Sequence, residues 1–358
     1  MTDNISRKAY LDLMRIVACI LVIFNHLPGF ELYITTSGIS QFIYMSISVI
    51  TKMNVPIFFL ISGALLLNKK ESITITLRKR VSRIIIAIFL FTGIIVLINV
   101  IPMYINGTGY ALRTVFTNWI YSSLTNTGYS PIPYWFLYSY LGFLFMLPFL
   151  QRIADGFSKK EFLLLFFMHF LMQSFFPFIN SFLISRNIAP LKFASNFLFP
   201  LAFNDVFFMT LTGYYLEYKV NIVKVKKQHI IGLFSTGIIC ICVVNLCASL
   251  GGVLTENYVE SYIGMFNYYL SIIFFISVKW CYSSRITKSL WINKMASITF
   301  GIYLLDPILK ILLYRQYTSL VANTTTIIMS IGWIAISLLV GGFITYLLRK
   351  ITFMRKIL

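Results

Sequence analysis

The chain has 358 residues, of which 58% are hydrophobic, 17% aromatic and only 11% charged. Soluble domains carry about 25% charged and under about 50% apolar residues, so this composition excludes a water-soluble globular enzyme. The mean hydropathy of +0.82 supports the same exclusion. No linker, charge run or internal repeat divides the sequence, and we therefore expect a single integral membrane domain over residues 1–358.

The net charge of +19 has a simple explanation in a membrane chain. Lys and Arg concentrate in cytoplasmic loops and orient the helices, so nucleic acid is not an expected partner. The five cysteines are odd in number and lie in or beside apolar runs, which favours thiols over a disulfide framework. With three histidines and no ligand spacing among the cysteines, we expect no metal.

Ten stretches are apolar and long enough for a membrane-spanning helix, which needs about 20 residues. They cover approximately residues 9–27, 41–67, 84–104, 132–151, 162–184, 198–218, 229–250, 259–281, 295–314 and 326–348. The sequence therefore predicts an all-α fold: a polytopic membrane protein of about ten transmembrane helices.

Positive charge alternates between the connections of these ten stretches. Six connecting or terminal segments hold 23 of the 30 Lys and Arg residues: 7–8, 69–83, 152–160, 219–227, 279–294 and 349–356. The positive-inside rule places both termini in the cytoplasm, and an even number of spans satisfies this parity. We expect a multi-pass protein of the cell membrane, in contact with lipid, with segments 105–131 and 185–197 outside.

The first stretch has the densest set of ionisable residues. Asp12, Arg15 and His26 lie in YLDLMRIVACILVIFNH. Helix geometry leaves only about 20° between Arg15 and His26 and separates them by roughly 16 Å. Charged groups at membrane depth are costly and mark functional sites by default. The alternative is a snorkelling arginine near a helix end together with an interfacial histidine.

A basic segment, RKRVSR at 78–83, leads into the third stretch. Arginines at a cytoplasmic helix start can hold phosphates, because each guanidinium offers a planar bidentate fork. The segment can equally be a topology signal that contacts anionic lipid.

Aromatic, small and polar residues mark five other stretches. Trp135 and Tyr138 in PIPYWFLYSY suit an interfacial aromatic belt or a stacking platform for a ring. Gly63, after Ser62, would let two helices approach closely. His169 favours an interhelical hydrogen bond. Two acids, Asp205 and Asp306, also fall within apolar stretches.

In combination these segments resemble the integral-membrane family called acyltransferase 3. YLDLMRIVACILVIFNH resembles its first helix, with Arg15, ten residues and then His26. FFLISGALLL is similar to its second-helix segment, and Arg80-Val-Ser-Arg83 to its paired arginines. YWFLYSYLGFLFMLPFL and SITFGIYLLDPI are similar to later family segments. The resemblance covers about residues 9–348 and lies nearer the branch that O-acetylates cell-surface polysaccharides.

This resemblance implies transfer of an acyl group from cytoplasmic acyl-CoA to an envelope glycan or a small-molecule acceptor. Acetyl-CoA is the expected donor. Carried over by residue, His26 would be the catalytic base, Arg15 would support the site, and Arg80 and Arg83 would lie near the CoA phosphates, with Lys79 beside them. We expect the acceptor to contact Asp12, Trp135, Tyr138 and Asp205. The sequence indicates no oligomeric state.

The chain departs from the family pattern at two places. Asp306 follows GIYLL, where many members have histidine, and the fourth stretch lacks the acid that many glycan acetyltransferases carry there. We expect Asp306 to support the reaction centre as a carboxylate that orients His26. The alternative for Asp306 is a protonated acid bonded to another helix.

A transporter or exporter with a proton relay is the competing class. Intramembrane Asp205 and Asp306, with a histidine that titrates near neutral pH, would suit such a relay. Paired half-chains with matching broken helices would favour a transporter, and the sequence shows no convincing repeat.

Overall fold

A computed structural model describes residues 8–69, 71–127, 134–194, 204–250, 263–283, 290–322 and 327–358. Within these ranges the chain is helical with short connections and contains no strand. The predicted all-α fold is therefore confirmed. All five cysteines lie in the described ranges and are thiols, as predicted, although Cys242 and Cys281 are exposed rather than buried.

The longer helices begin and end at well-defined residues. In chain order they are α1 (Ala9–Asn25), α2 (Gly38–Thr51), α3 (Asn54–Leu66), α4 (Ile73–Ile105), α5 (Leu112–Thr125), α6 (Trp135–Gly156), α7 (Lys159–Ile184), α8 (Asp205–Tyr214), α9 (Lys227–Leu250), α10 (Asn267–Ser283), α11 (Leu290–Leu312), α12 (Ile327–Leu348) and α13 (Thr352–Ile357). Wider π turns lie within α4, α7 and α12, and another, Tyr215–Lys219, follows α8.

Seven helical segments in the described ranges are long and apolar enough to cross a membrane. They are the α2–α3 pair, α4, α6, α7, α9, α11 and α12. An eighth arises if α1 and the bent segment Pro28–Thr35 are counted as one span. The predicted stretch 198–218 includes α8, and the predicted stretch 259–281 includes most of α10. Each of these two stretches begins in residues outside the described ranges. The chain is a polytopic membrane protein.

The break after α1 follows from the sequence His26-Leu27-Pro28. Leu27 is extended, with φ −118° and ψ 149°, because a residue before proline avoids the helical region. The helix therefore ends with His26 as its C-terminal cap, and the next helical segment bends away by 78°. Local chain chemistry thus places His26 at a helix end beside a sharp bend.

Two compact units make up the chain, the first comprising Met1–Lys70 and Phe149–Ala296. In unit 1, α3 contacts α1, α8 and α10. The contact with α8 is a backbone-to-backbone approach. A Cβ on Gly63 would lie 1.8 Å from the Thr210 carbonyl oxygen, and one on Gly213 would lie 2.0 Å from that of Leu60. The close approach predicted at Gly63 is therefore confirmed.

Unit 2 comprises Glu71–Pro148 and Ser297–Leu358. In it α4 packs against α5, where Trp119 Nε1 donates to the Phe89 carbonyl at 2.8 Å. Helix α5 falls in segment 105–131, which the sequence predicted as an outside connection without indicating a helix. The basic segment 78–83 was expected at a helix start. Because α4 already begins at Ile73, those residues lie inside the helix.

Candidate active site

One helix carries the three ionisable residues that the first stretch predicted. Asp12 is buried near the start of α1 and accepts a hydrogen bond from Arg15 Nη1 at 3.1 Å. His26 is half-buried at the end of the same helix. The helical rise separates Arg15 from His26 by about 16 Å. The structure therefore gives α1 an ion pair near one end and an imidazole at the other.

A buried glutamate that the sequence analysis missed joins three helices of unit 1. Glu217 lies in the π turn after α8 and its side chain is only 5% exposed. Its Oε1 is 2.5 Å from Lys8 Nζ, and its Oε2 accepts from the Tyr10 hydroxyl at 2.5 Å and Lys279 Nζ at 2.9 Å. Lys279 also donates to the carbonyl of Leu216 at 3.0 Å. These contacts join the start of α1 to the ends of α8 and α10.

A second polar cluster in unit 1 involves α7, α8 and α10. His169 is buried, and its Nε2 lies 3.4 Å from Asp205 Oδ1. The Tyr268 hydroxyl donates to the other carboxylate oxygen of Asp205. The imidazole stacks on the Phe208 ring, with the ring centroids 3.4 Å apart. The expected interhelical role of His169 is confirmed, and its partner is Asp205.

The predicted donor-binding residues lie in unit 2, where both arginines have partners of their own. Arg80 forms a bidentate pair with Glu71, at 2.8 Å from Nε and 2.7 Å from Nη2. Arg83 donates to the carbonyl of Ile357 at 2.7 Å and lies over the Phe300 ring, 5.3 Å from its centroid. Lys79 is exposed. The basic segment therefore presents two exposed cations, Arg78 and Lys79, beside two arginines that have partners within unit 2.

Asp306 lies in the interior of unit 2, on α11. Its Oδ1 accepts from Ser337 Oγ at 2.7 Å and from Trp333 Nε1 at 3.2 Å, and its Oδ2 is 2.9 Å from Lys310 Nζ. The Asp306 carboxyl group is therefore bonded to α12 through Ser337 and Trp333 and to Lys310 on its own helix.

The two aromatic residues expected to contact the acceptor differ in their surroundings. Trp135 is exposed at the start of α6. The Tyr138 hydroxyl donates to the Ser123 carbonyl of α5 at 2.8 Å. Exposure of Trp135 at a helix start fits an interfacial belt and a stacking surface equally well.

The predicted site residues divide between the two units. Unit 1 holds Asp12, Arg15, His26 and Asp205, and unit 2 holds Lys79, Arg80, Arg83, Trp135, Tyr138 and Asp306. The described part of the chain contains no group of three or more His, Cys, Asp or Glu side chains that could hold a metal ion.

Comparison with known proteins identifies the family. The family profile described as an acyltransferase domain, that of acyltransferase 3, matches residues 8–349. No curated protein and no solved structure gives a significant match. Because the profile covers nearly the whole chain, it favours an enzyme over the transporter considered from the sequence. The chain belongs to the acyltransferase 3 family and is a membrane acyltransferase.

Proposed function

We propose that this acyltransferase moves an acetyl group from cytoplasmic acetyl-CoA to a hydroxyl of an envelope glycan or a small molecule, with His26 as the base. The observation that carries the proposal is the arrangement on α1, where the Asp12–Arg15 pair and His26 share one helix. A long thin pantetheine arm suits the interval of about 16 Å between Arg15 and His26.

The chemistry at His26 is general base catalysis. As the imidazole accepts the acceptor's hydroxyl proton, the oxygen attacks the thioester carbonyl carbon and a C–O bond forms. The C–S bond then breaks, and the departing CoA thiolate takes the proton from the imidazolium. His26 caps the C-terminus of α1, where the helix dipole stabilises the positive charge that the ring carries between these steps.

Arg15 is proposed to support this site rather than to react. Its guanidinium is held by Asp12, three residues earlier, at 3.1 Å. An arginine paired in this way is fixed in direction, and a fixed cation can stabilise charge that develops on the donor. Asp12 is then a positioning residue. A substrate group that binds beside Arg15, from either the glycan or acetyl-CoA, would also contact Asp12.

The CoA phosphates are proposed to bind at Lys79, Arg80 and Arg83. Lys79 is exposed, whereas Glu71 holds the Nε and Nη2 edge of Arg80. A phosphate that used this edge would compete with Glu71, because both are anions that match the guanidinium fork. Arg83 holds the end of α13 through the Ile357 carbonyl, so its first contribution is to order this face of unit 2.

Asp306 is proposed to support the reaction as a carboxylate, and within unit 2 it is held by Lys310, Trp333 and Ser337. On the acceptor side, Trp135 offers an exposed ring for stacking and Asp205 offers hydrogen-bond acceptors. Tyr138 contributes indirectly, because its hydroxyl is bonded to α5.

The test of the proposed function is a donor and acceptor assay. Purified protein in lipid nanodiscs is incubated with labelled acetyl-CoA and with the glycan fraction extracted from the envelope of the producing cells. We expect acetyl-CoA to bind and label to appear in the glycan, with little transfer from palmitoyl-CoA. Binding of long-chain acyl-CoA alone, or transfer to no hydroxyl compound of the fraction, would contradict the proposal.

A further inference from the structure

The His169–Asp205–Tyr268 cluster of unit 1 has a carboxylate that is fixed on one side and open on the other. The His169 side chain is 3% exposed, whereas that of Asp205 is 41% exposed. His169 and Tyr268 contact one carboxylate oxygen each. An ionised carboxylate has about four acceptor positions. The cluster therefore holds Asp205 in a set direction and leaves acceptor positions for another molecule.

The surroundings of Asp205 define the chemistry of that molecule. Among the described residues, Asp205 has no Lys or Arg partner. Asn267, which precedes Tyr268, is buried, and its side-chain oxygen has no hydrogen-bond partner within the described part of the chain. Asp205 and the Asn267 oxygen are hydrogen-bond acceptors with positions still open among the described residues. A buried amide oxygen is costly to leave unsatisfied, so the site suits a ligand rich in hydroxyl donors.

The cluster lies toward the same end of unit 1 as His26. The Glu217 contacts bring together the start of α1 and the ends of α8 and α10. From Glu217 back to Asp205 the helical rise is about 18 Å, and from Lys279 back to Tyr268 it is about 16 Å. From Tyr10 forward to His26 it is about 24 Å. All three helices therefore extend from the Glu217 contacts toward one end.

We propose that Asp205, His169, Tyr268 and Asn267 form a binding site for the non-reacting hydroxyls of a polyhydroxylated acceptor. Asp205 and Asn267 accept hydrogen bonds from the acceptor, while His169 and Tyr268 are positioning residues that hold the carboxylate. The inference rests on the proposed function, since the reacting hydroxyl is assigned to His26. It adds the substrate class, because a ligand that satisfies both groups presents several hydroxyls.

The experiment measures acetyl transfer as a function of the concentration of the envelope glycan fraction, with full-length protein in nanodiscs. Asp205→Asn keeps the shape of the side chain and removes its charge. We expect the half-saturating glycan concentration to rise about tenfold or more, since hydrogen bonds to charged groups are the strong ones. The maximal rate and the acetyl-CoA dissociation constant should stay within about twofold.

Two further variants make the result decisive. Tyr268→Phe removes one donor to Asp205 but keeps the ring beside His169. The half-saturating glycan concentration of this variant should therefore lie between that of the parent and that of Asp205→Asn. Asp155→Asn, an exposed acid of unit 1, is the matched control and should match the parent. An unchanged half-saturating concentration in Asp205→Asn overturns the site, and so does a loss confined to the maximal rate.

Direct binding of labelled glycan separates this inference from the proposed function. If the parent binds glycan without transferring acetyl and Asp205→Asn fails to bind, the site stands and the proposed function fails. If the parent transfers acetyl and the variant saturates equally well, the function stands and the site fails. Monosaccharides from hydrolysis of the same fraction form a second arm, because saturation by them would identify a small sugar rather than a polymer.

Discussion

Lys8 Nζ lies 2.5 Å from Oε1 of Glu217, although 209 positions separate the two residues in the sequence. This contact, together with those of Tyr10 and Lys279, fixes the start of α1 against the ends of α8 and α10. The helix that carries Arg15 and His26 is thereby held at the end opposite to His26.

Replacing Glu217 with Gln should destabilise unit 1. It removes the carboxylate and leaves Lys279 buried without its anion. Removing one partner of a buried ion pair lowers the free energy of unfolding by on the order of 3 kcal/mol. Thermal unfolding in nanodiscs measures the change, with Asp155→Asn as the exposed control. An unfolding midpoint equal to that of the parent would show that the Glu217 contacts add nothing to stability.

Adding one methyl group at Gly63 should weaken the contact between α3 and α8. The new Cβ would lie 1.8 Å from the Thr210 carbonyl oxygen, which is backbone and cannot rotate away. Overpacking of this kind costs about 1–3 kcal/mol or more. Gly142→Ala is the matched control, because its Cβ would meet nothing within 4 Å. Equal unfolding midpoints for the two variants would contradict the close approach.

The pairing of Asp306 with Lys310 can be measured by a double-mutant cycle. Asp306→Asn should cost roughly 3 kcal/mol, because a largely buried ammonium loses its anion. In the double variant with Lys310→Met the loss should be smaller than the sum of the two single changes. If Asp306 also supports the reaction, Asp306→Asn should lose much of the acetyl transfer. Additive stability changes would argue against the pair.

Removing the carboxylate that faces Arg80 should favour the donor. If a CoA phosphate competes with Glu71, Glu71→Gln should lower the acetyl-CoA dissociation constant by up to about fivefold, since an ion pair of this exposure contributes about 0.2–1 kcal/mol. Arg80→Ala should raise it, and added salt should weaken binding in part. Unchanged binding in both variants would leave the Arg80–Glu71 pair with a structural role only.

The helices themselves were largely predictable, because hydropathy over about 20 residues is a local property. Every predicted stretch overlaps a described helix, and the proline after Leu27 accounts for the end of α1. The start of α4 at Ile73 was missed because Ser72, whose side chain accepts from the Ile75 N–H, starts a helix in a polar stretch. Helix α5 was missed for a similar reason, since its sequence is only weakly apolar.

The partners of the polar residues were not predictable from one sequence. His169 and Asp205 were each noticed, but hydropathy carries no information on which helices pack together. Glu217 was overlooked because it lies among lysines at a helix end, where an acid resembles an ordinary interfacial residue. A signal was present: Lys8, Lys279 and Glu217 all fall at the predicted cytoplasmic ends of helices, where a lone acid among lysines favours pairing.

The central claim is that His26 is the base of acetyl transfer. The measurement is the rate of label transfer from acetyl-CoA to the envelope glycan fraction by His26→Ala, beside His229→Ala, whose histidine is exposed at the start of α9. We expect His26→Ala to lose at least about a hundredfold in rate while binding acetyl-CoA and unfolding like the parent, and His229→Ala to keep full activity. Full activity in a well-folded His26→Ala protein would contradict the account.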